Sequence, residues 1–188
     1  MLAELNIVIF LKSNDDLERM AERVFGALGS VSNATVSDEG DTYYEGSGLG
    51  FRAELFTYDP YIEYPALAAF AYELDIISRY WDPDLDAAAL DDSLAEYYAR
   101  ELAFELNVET ASEVPVETTD EYERLRVRIF RRNPQYRLDQ APTTPRVFLI
   151  EEHFRELPFN EEGQVDAALE EYDDETEDLA AGAEEANQ

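Results

Sequence analysis

No cysteine occurs among the 188 residues, which removes disulfides, thiolate nucleophiles, Cys-ligated zinc and iron–sulfur clusters together. Lysine is nearly missing too: Lys12 stands alone, and the other 13 of the 14 cations are arginine. Histidine occurs once, as His153. A Ser-His-Asp triad would have to recruit it, and no G-x-S-x-G or comparable nucleophile setting accompanies it. Long apolar runs are absent as well, with nothing approaching the roughly 18 residues of a membrane span. The opening stretch MLAELNIVIFLKSNDD holds Glu4 inside its apolar run and no basic region before it, so it reads as the start of a cytoplasmic protein rather than as a signal peptide.

What is abundant is acid. Asp and Glu number 44 against 14 bases, a formal net charge of −30. Such a chain repels nucleic acid, anionic lipid and acidic substrates, and favours a basic protein partner. The preference for arginine over lysine beside so large an acid excess also fits a halophilic protein of a high-salt cytoplasm. Residues 161–188 contain 12 acids and no base, with too narrow an apolar stripe to fold alone, and read as a solvated acidic tail. Removing them leaves 32 acids against 14 bases in residues 1–160. The expected folded domain, residues 1–160, is therefore acidic in its own right.

Periodicity supplies the architecture. Leu5, Ile7, Ile9 and Leu11 alternate with Val8 and Phe10, giving a strand apolar on both faces and hence central. Ser13 or Asn14 is placed to cap a helix carrying Leu17, Met20, Ala21, Val24, Phe25 and Leu28, which Gly29 stops. Extended segments follow at about 31–37 and 42–58, joined through the turn DEG, and another at 69–77. A long helix opens at Asp82 and Pro83, with Leu90, Leu94, Tyr97, Tyr98, Leu102 and Leu106 as its stripe. Strands at 122–130 and 146–151, separated by the proline-rich loop 131–145, close the domain. The order β-α-β-β-β-α-β-β predicts an α+β fold: a ferredoxin-like or elaborated βαββ sandwich, mostly antiparallel, with two helices on one face.

The glycines of YYEGSGLGFRAELFTYD, residues 43–59, do not form a phosphate cradle. GSGLG lacks the Lys-Ser/Thr of a P-loop and the full dinucleotide fingerprint, and it leads into a strand beside Glu45. Gly48 and Gly50 instead predict a turn or bulge, or a close approach of a bulky neighbour. His153 lies among Glu151, Glu152 and Glu156 without a recognised metal-site pattern. No catalytic, cofactor or metal residues are assigned. The informative stretch is FTYDPYIEYP, residues 56–65, where tyrosines and carboxylates alternate as they do on surfaces that grip arginine or lysine; the alternative is that these rings cap the core. The expected partner-binding residues are Asp38, Glu39 and Asp41 in one turn and Tyr58, Asp59, Tyr61, Glu63 and Tyr64 in the next loop.

Through TYYEGSGLGFRAELF, DPYIEYP and the helix LAEYYARELAFELNVETA after the AYELDI strand, residues 4–112 resemble small, often acidic immunity proteins of bacterial polymorphic-toxin systems. The resemblance implies a non-enzymatic toxin inhibitor that occludes its target. A DNA mimic differs from this only in its target, since carboxylates on a rigid surface imitate phosphate charge.

Overall fold

Strand β1 (Ala3–Lys12) has apolar residues on both faces because both are covered. Ile7, Ile9 and Leu11 lie in one cluster of buried side chains, and Phe10 lies in another on the opposite face. The computed structural model describes residues 3–36, 42–48, 50–58, 66–80, 87–119, 122–137 and 144–158. Within them, β2 (Ser32–Val36), β3 (Thr42–Gly48), β4 (Phe51–Thr57), β5 (Tyr72–Tyr80), β6 (Glu109–Thr118), β7 (Tyr122–Arg132) and β8 (Val147–Pro158) join β1. They form one eight-stranded sheet, in the order β2-β3-β4-β5-β1-β6-β7-β8, with every neighbour antiparallel. Helices α1 (Leu17–Ala27) and α2 (Ala87–Leu106) share the larger cluster, so the fold is α+β. No described helix is long and apolar enough to cross a membrane.

The sheet has two more strands than the apolar pattern predicts. The segment 42–58 divides into a hairpin in which Gly48 faces Phe51 and Gly50 takes φ +88, a conformation that suits glycine. Strand β6 escapes the pattern because, of its buried residues Thr110, Ala111, Ser112 and Val114, only Val114 is a large apolar side chain, too few to show as an apolar alternation. Its Pro115 sits beyond Glu113, the last β6 residue paired to β1, and beside an irregularity in the β7 pairing. Proline is tolerated there because one side of the strand carries no ladder.

Helix α1 is capped by Asp16, which accepts from the Arg19 amide at 2.8 Å, rather than by Ser13 or Asn14. Ser13 Oγ instead accepts from the Asp15 amide at 3.2 Å. Gly29 ends the helix as expected, at φ +69. The Ser30 and Gly29 amides return to Phe25 O and Gly26 O at 2.8 and 3.2 Å, which satisfies the last carbonyls. The expected stripe of α2 holds at Leu102 and Leu106, which are buried, and at Leu94 and Tyr98, which pack on the same cluster, whereas Tyr97 is exposed and Ala95, Ala99 and Ala103 share the buried face. Alanines four apart lower that side of the helix and bring it close to the sheet, near enough for Thr110 Oγ1 to donate to Ala99 O at 2.7 Å. The expected helix start at Asp82 and Pro83 and the tail 161–188 lie outside the described residues.

Candidate functional site

Two faces of one sheet meet different fates. Against the helices, arginines are matched to acids: Arg126 to Asp92, Arg128 to Glu96 and Glu152 at 2.6 Å each, and Arg146 to Glu101 at 3.3 Å. Antiparallel register builds the opposite face row by row. Glu45 stands opposite Glu54, Glu54 opposite Asp75, Asp75 opposite Val8, and Val8 opposite Glu113. In the neighbouring row Phe56 faces Glu73, and Glu73 faces Phe10. Like charges placed directly across strands repel. Arg52, bonded to Glu54 and 3.9 Å from Glu45, relieves part of this row.

The electrostatic consequence falls on β5. Burial, with Phe56 and Phe10 on either side, lifts the Glu73 carboxyl from 4.5 to about 7, and Asp75 and Glu113 add to the shift. Burial and then Glu54 lift Asp75 from 3.8 to about 6. Oδ1 of Asp75 is buried without a hydrogen-bond partner among the described residues. The ring of Phe56 stacks on Tyr43 at 5.2 Å between centroids, so an aromatic pair borders the acids.

Tyr58 and residues 66–70 lie against this face. Tyr58 is half-buried with its ring edge-on to Phe10, 4.9 Å between centroids, and its amide donates to Ala71 O at 2.8 Å. Leu67 and Phe70 are buried beside Phe10, Val127 and Ile129. Phe70, expected within a strand, thus precedes β5 and packs on the face opposite Tyr72 and Leu74. Of the expected partner-binding residues, Tyr58 alone is described; Asp38, Glu39, Asp41, Asp59, Tyr61, Glu63 and Tyr64 lie outside the described residues. The strand ends that hold the two connections are described, and both are at one end of the sheet, where Val36 faces Thr42 and Thr57 faces Tyr72.

Sequence reasoning missed Glu54, Glu73, Asp75 and Glu113 as a group. Each sits at a polar position of its strand, but only the register shows that they converge. His153 binds Glu151 at 2.9 Å, whereas Glu152 turns to Arg128 on the other side of β8. Among the described residues no three His, Asp or Glu side chains are grouped to hold a metal ion. The chain matches no protein-family model, no curated protein and no solved structure.

Proposed function

We propose that this chain is a non-catalytic acidic binding protein that takes a basic protein partner on the open face of its sheet, free of helix among the described residues and beside the part that Leu67 and Phe70 cover, as an immunity-type inhibitor occludes a nuclease toxin in the cytoplasm. The observation that carries the proposal is the crowding of Glu54, Glu73, Asp75 and Glu113 across β4, β5 and β6 around two carboxyls raised to about 7 and about 6. Acid that serves solubility in salt sits exposed and dispersed. Acid held half-buried against acid costs stability, and a surface keeps that arrangement when a cation arrives to relieve it. In this reading Asp38, Glu39, Asp41, Asp59, Tyr61, Glu63 and Tyr64 are further contact residues for the partner, with Tyr61 as the aromatic anchor. The chain order β1-α1-β2-β3 supports the elaborated βαββ description of the fold, with the acidic tail beyond it.

The test is binding kinetics of the full chain against a basic nuclease domain at two salt concentrations and at pH values below and above the Glu73 titration. A cationic partner lowers the raised carboxyl pKa values, so the complex releases protons and affinity rises with pH up to about 7 and levels off above it. Asp59→Lys with Glu63→Lys slows association and leaves the circular dichroism unchanged, while Glu73→Gln flattens the pH dependence. Binding indifferent to both salt and pH overturns the proposal. The high-salt reading has its own motivation in the single lysine among 14 cations; it requires that the isolated chain unfold at low salt. A basic partner whose nuclease site stays active in the complex favours the DNA-mimic version.

A further inference from the structure

Cations in this acidic chain are used unevenly. Along the helix side two arginines of β7 and the one just before β8 meet one or two carboxylates each: Arg126 has Asp92, Arg128 has Glu96 and Glu152, and Arg146 has Glu101 and Glu105. Where β1 ends and β6 begins, the balance inverts. Lys12 Nζ lies 2.8 Å from Glu109 Oε2, and Arg131 Nε lies 3.2 Å from Oε1 of the same residue. One carboxylate thus serves two cations. Arg132 donates to the Phe104 carbonyl at 3.3 Å and stacks 4.6 Å over its ring, with no carboxylate against it among the described residues.

The topology makes this cluster. Lys12 and Glu109 are register partners at the last residue of β1 and the first of β6, and the Thr110–Phe130 pair brings Arg131 alongside. Asn107, at φ 55, turns the chain from α2 into β6. The three cations and Glu109 line an open cleft of about 680 Å³, together with Ser13 and Asn14 from the β1–α1 connection. The chain's only lysine is therefore spent here. The net charge of −30 does not cancel the local sign, because at physiological ionic strength exposed charges farther than about 8 Å are largely screened.

We propose that this cleft binds a small molecule through an oxyanion group, phosphate or carboxylate, held by Lys12, Arg131 and Arg132. Glu109 is the internal anion that keeps Lys12 and Arg131 in place until the ligand takes its share of them. Arginine supplies forked donors and lysine a point charge, a combination suited to an oxygen-rich anion. The hydroxyl of Ser13 and the amide of Asn14 add neutral donors at the rim.

The experiment is calorimetric titration of the full chain with inorganic phosphate and, separately, with citrate, at constant chloride. Saturable binding is expected, weakened about tenfold, equivalent to about 1.4 kcal/mol, by Lys12→Met or Arg131→Gln. Glu109→Gln should tighten it by a similar factor, a gain that misfolding cannot produce, and Arg52→Gln on β4 should leave it unchanged. Tighter binding of phosphate than of citrate assigns a phosphoryl ligand, and the reverse a carboxylate; either supports the site. The absence of a saturable response to both anions, or a response that Lys12→Met, Arg131→Gln and Glu109→Gln leave alone, overturns it.

Discussion

The two faces of the sheet are built from the same residue types and solve opposite problems. Beneath the helices, β7 sets Arg126 and Arg128 against Asp92 and Glu96 of α2, and the core below them is closed. On the open face, β3, β4 and β5 place Glu45, Glu54 and Asp75 opposite one another, while Glu73 lies between two phenylalanines. The covered face has matched charge, so it holds the fold. The other face sets acid opposite acid with Arg52 bonded to Glu54, and under the proposed function a basic partner would relieve that repulsion. On that proposal, stability and recognition would fall to alternate residues of the same strands.

Residues 73 to 75 of β5 break the comparison most sharply. Leu74 is fully buried in the larger cluster, between Ile9 and Leu55 in register. Leu74→Ala is expected to lose about 2–5 kcal/mol, through lost burial and the cavity left behind. Urea denaturation should show a lower midpoint with an unchanged slope. Removing charge from Glu73, one residue earlier, has the opposite sign near neutral pH. A loss of stability from both would show that the two faces are one core.

Much of the covered face was legible in the sequence and little of the open one was. Ile7, Ile9 and Leu11, and Met20, Ala21, Val24 and Phe25, announce themselves by periods of two and of nearly four, because apolar burial leaves a one-dimensional trace. The stripe of α2 is legible at Leu94, Tyr98, Leu102 and Leu106, but not the alanines 95, 99 and 103 beside it, which carry little hydropathy and act through closeness. Strand β6 is hidden on similar grounds, since Thr110, Ala111 and Ser112 make up three of its four buried residues beside Val114. The acid cluster joins residues 54, 73, 75 and 113, and the cation cleft joins 12, 109, 131 and 132. No local window holds either set, and in a chain with 44 acids any carboxylate looks like another until register sorts them.

Glycine tests the covered face at smaller scale. A Cβ on Gly46 of β3 would fall 2.6 Å from the Phe25 ring of α1, and one on Gly26, in the same helix, would meet nothing within 4 Å. Gly46→Ala therefore forces a fully buried ring to move and should cost about 1–3 kcal/mol. Gly26→Ala should instead stabilise by about 0.5–1 kcal/mol, since alanine is the better helix former. Thermal melts of the two variants should shift in opposite directions. A shared direction would mean that α1 is free to lift from β3, and that this part of the covered face is loose.

An effect as small is the most specific to the open face. Glu73 and Asp75 hold protons more tightly in the folded chain, with pKa values of about 7 and about 6, than at their ordinary values of 4.5 and 3.8. Across that interval the folded state binds more protons than the unfolded one, so the two groups make stability fall as pH rises from about 4 to about 7. Below the interval both states are protonated and the groups contribute nothing; above it the whole penalty is present. Glu73→Gln removes the charge and keeps the shape. Allowing for solvent screening, it should stabilise by about 1 kcal/mol at pH 8 and by nothing measurable at pH 4. Urea unfolding of wild type and variant at both pH values reads that difference while the other acids, common to the two chains, cancel. Added salt should shrink the gain only partly, because the penalty comes first from burial between Phe56 and Phe10 and second from repulsion by Asp75 and Glu113. A gain equal at both pH values would assign it to packing and leave the open face without its stored charge.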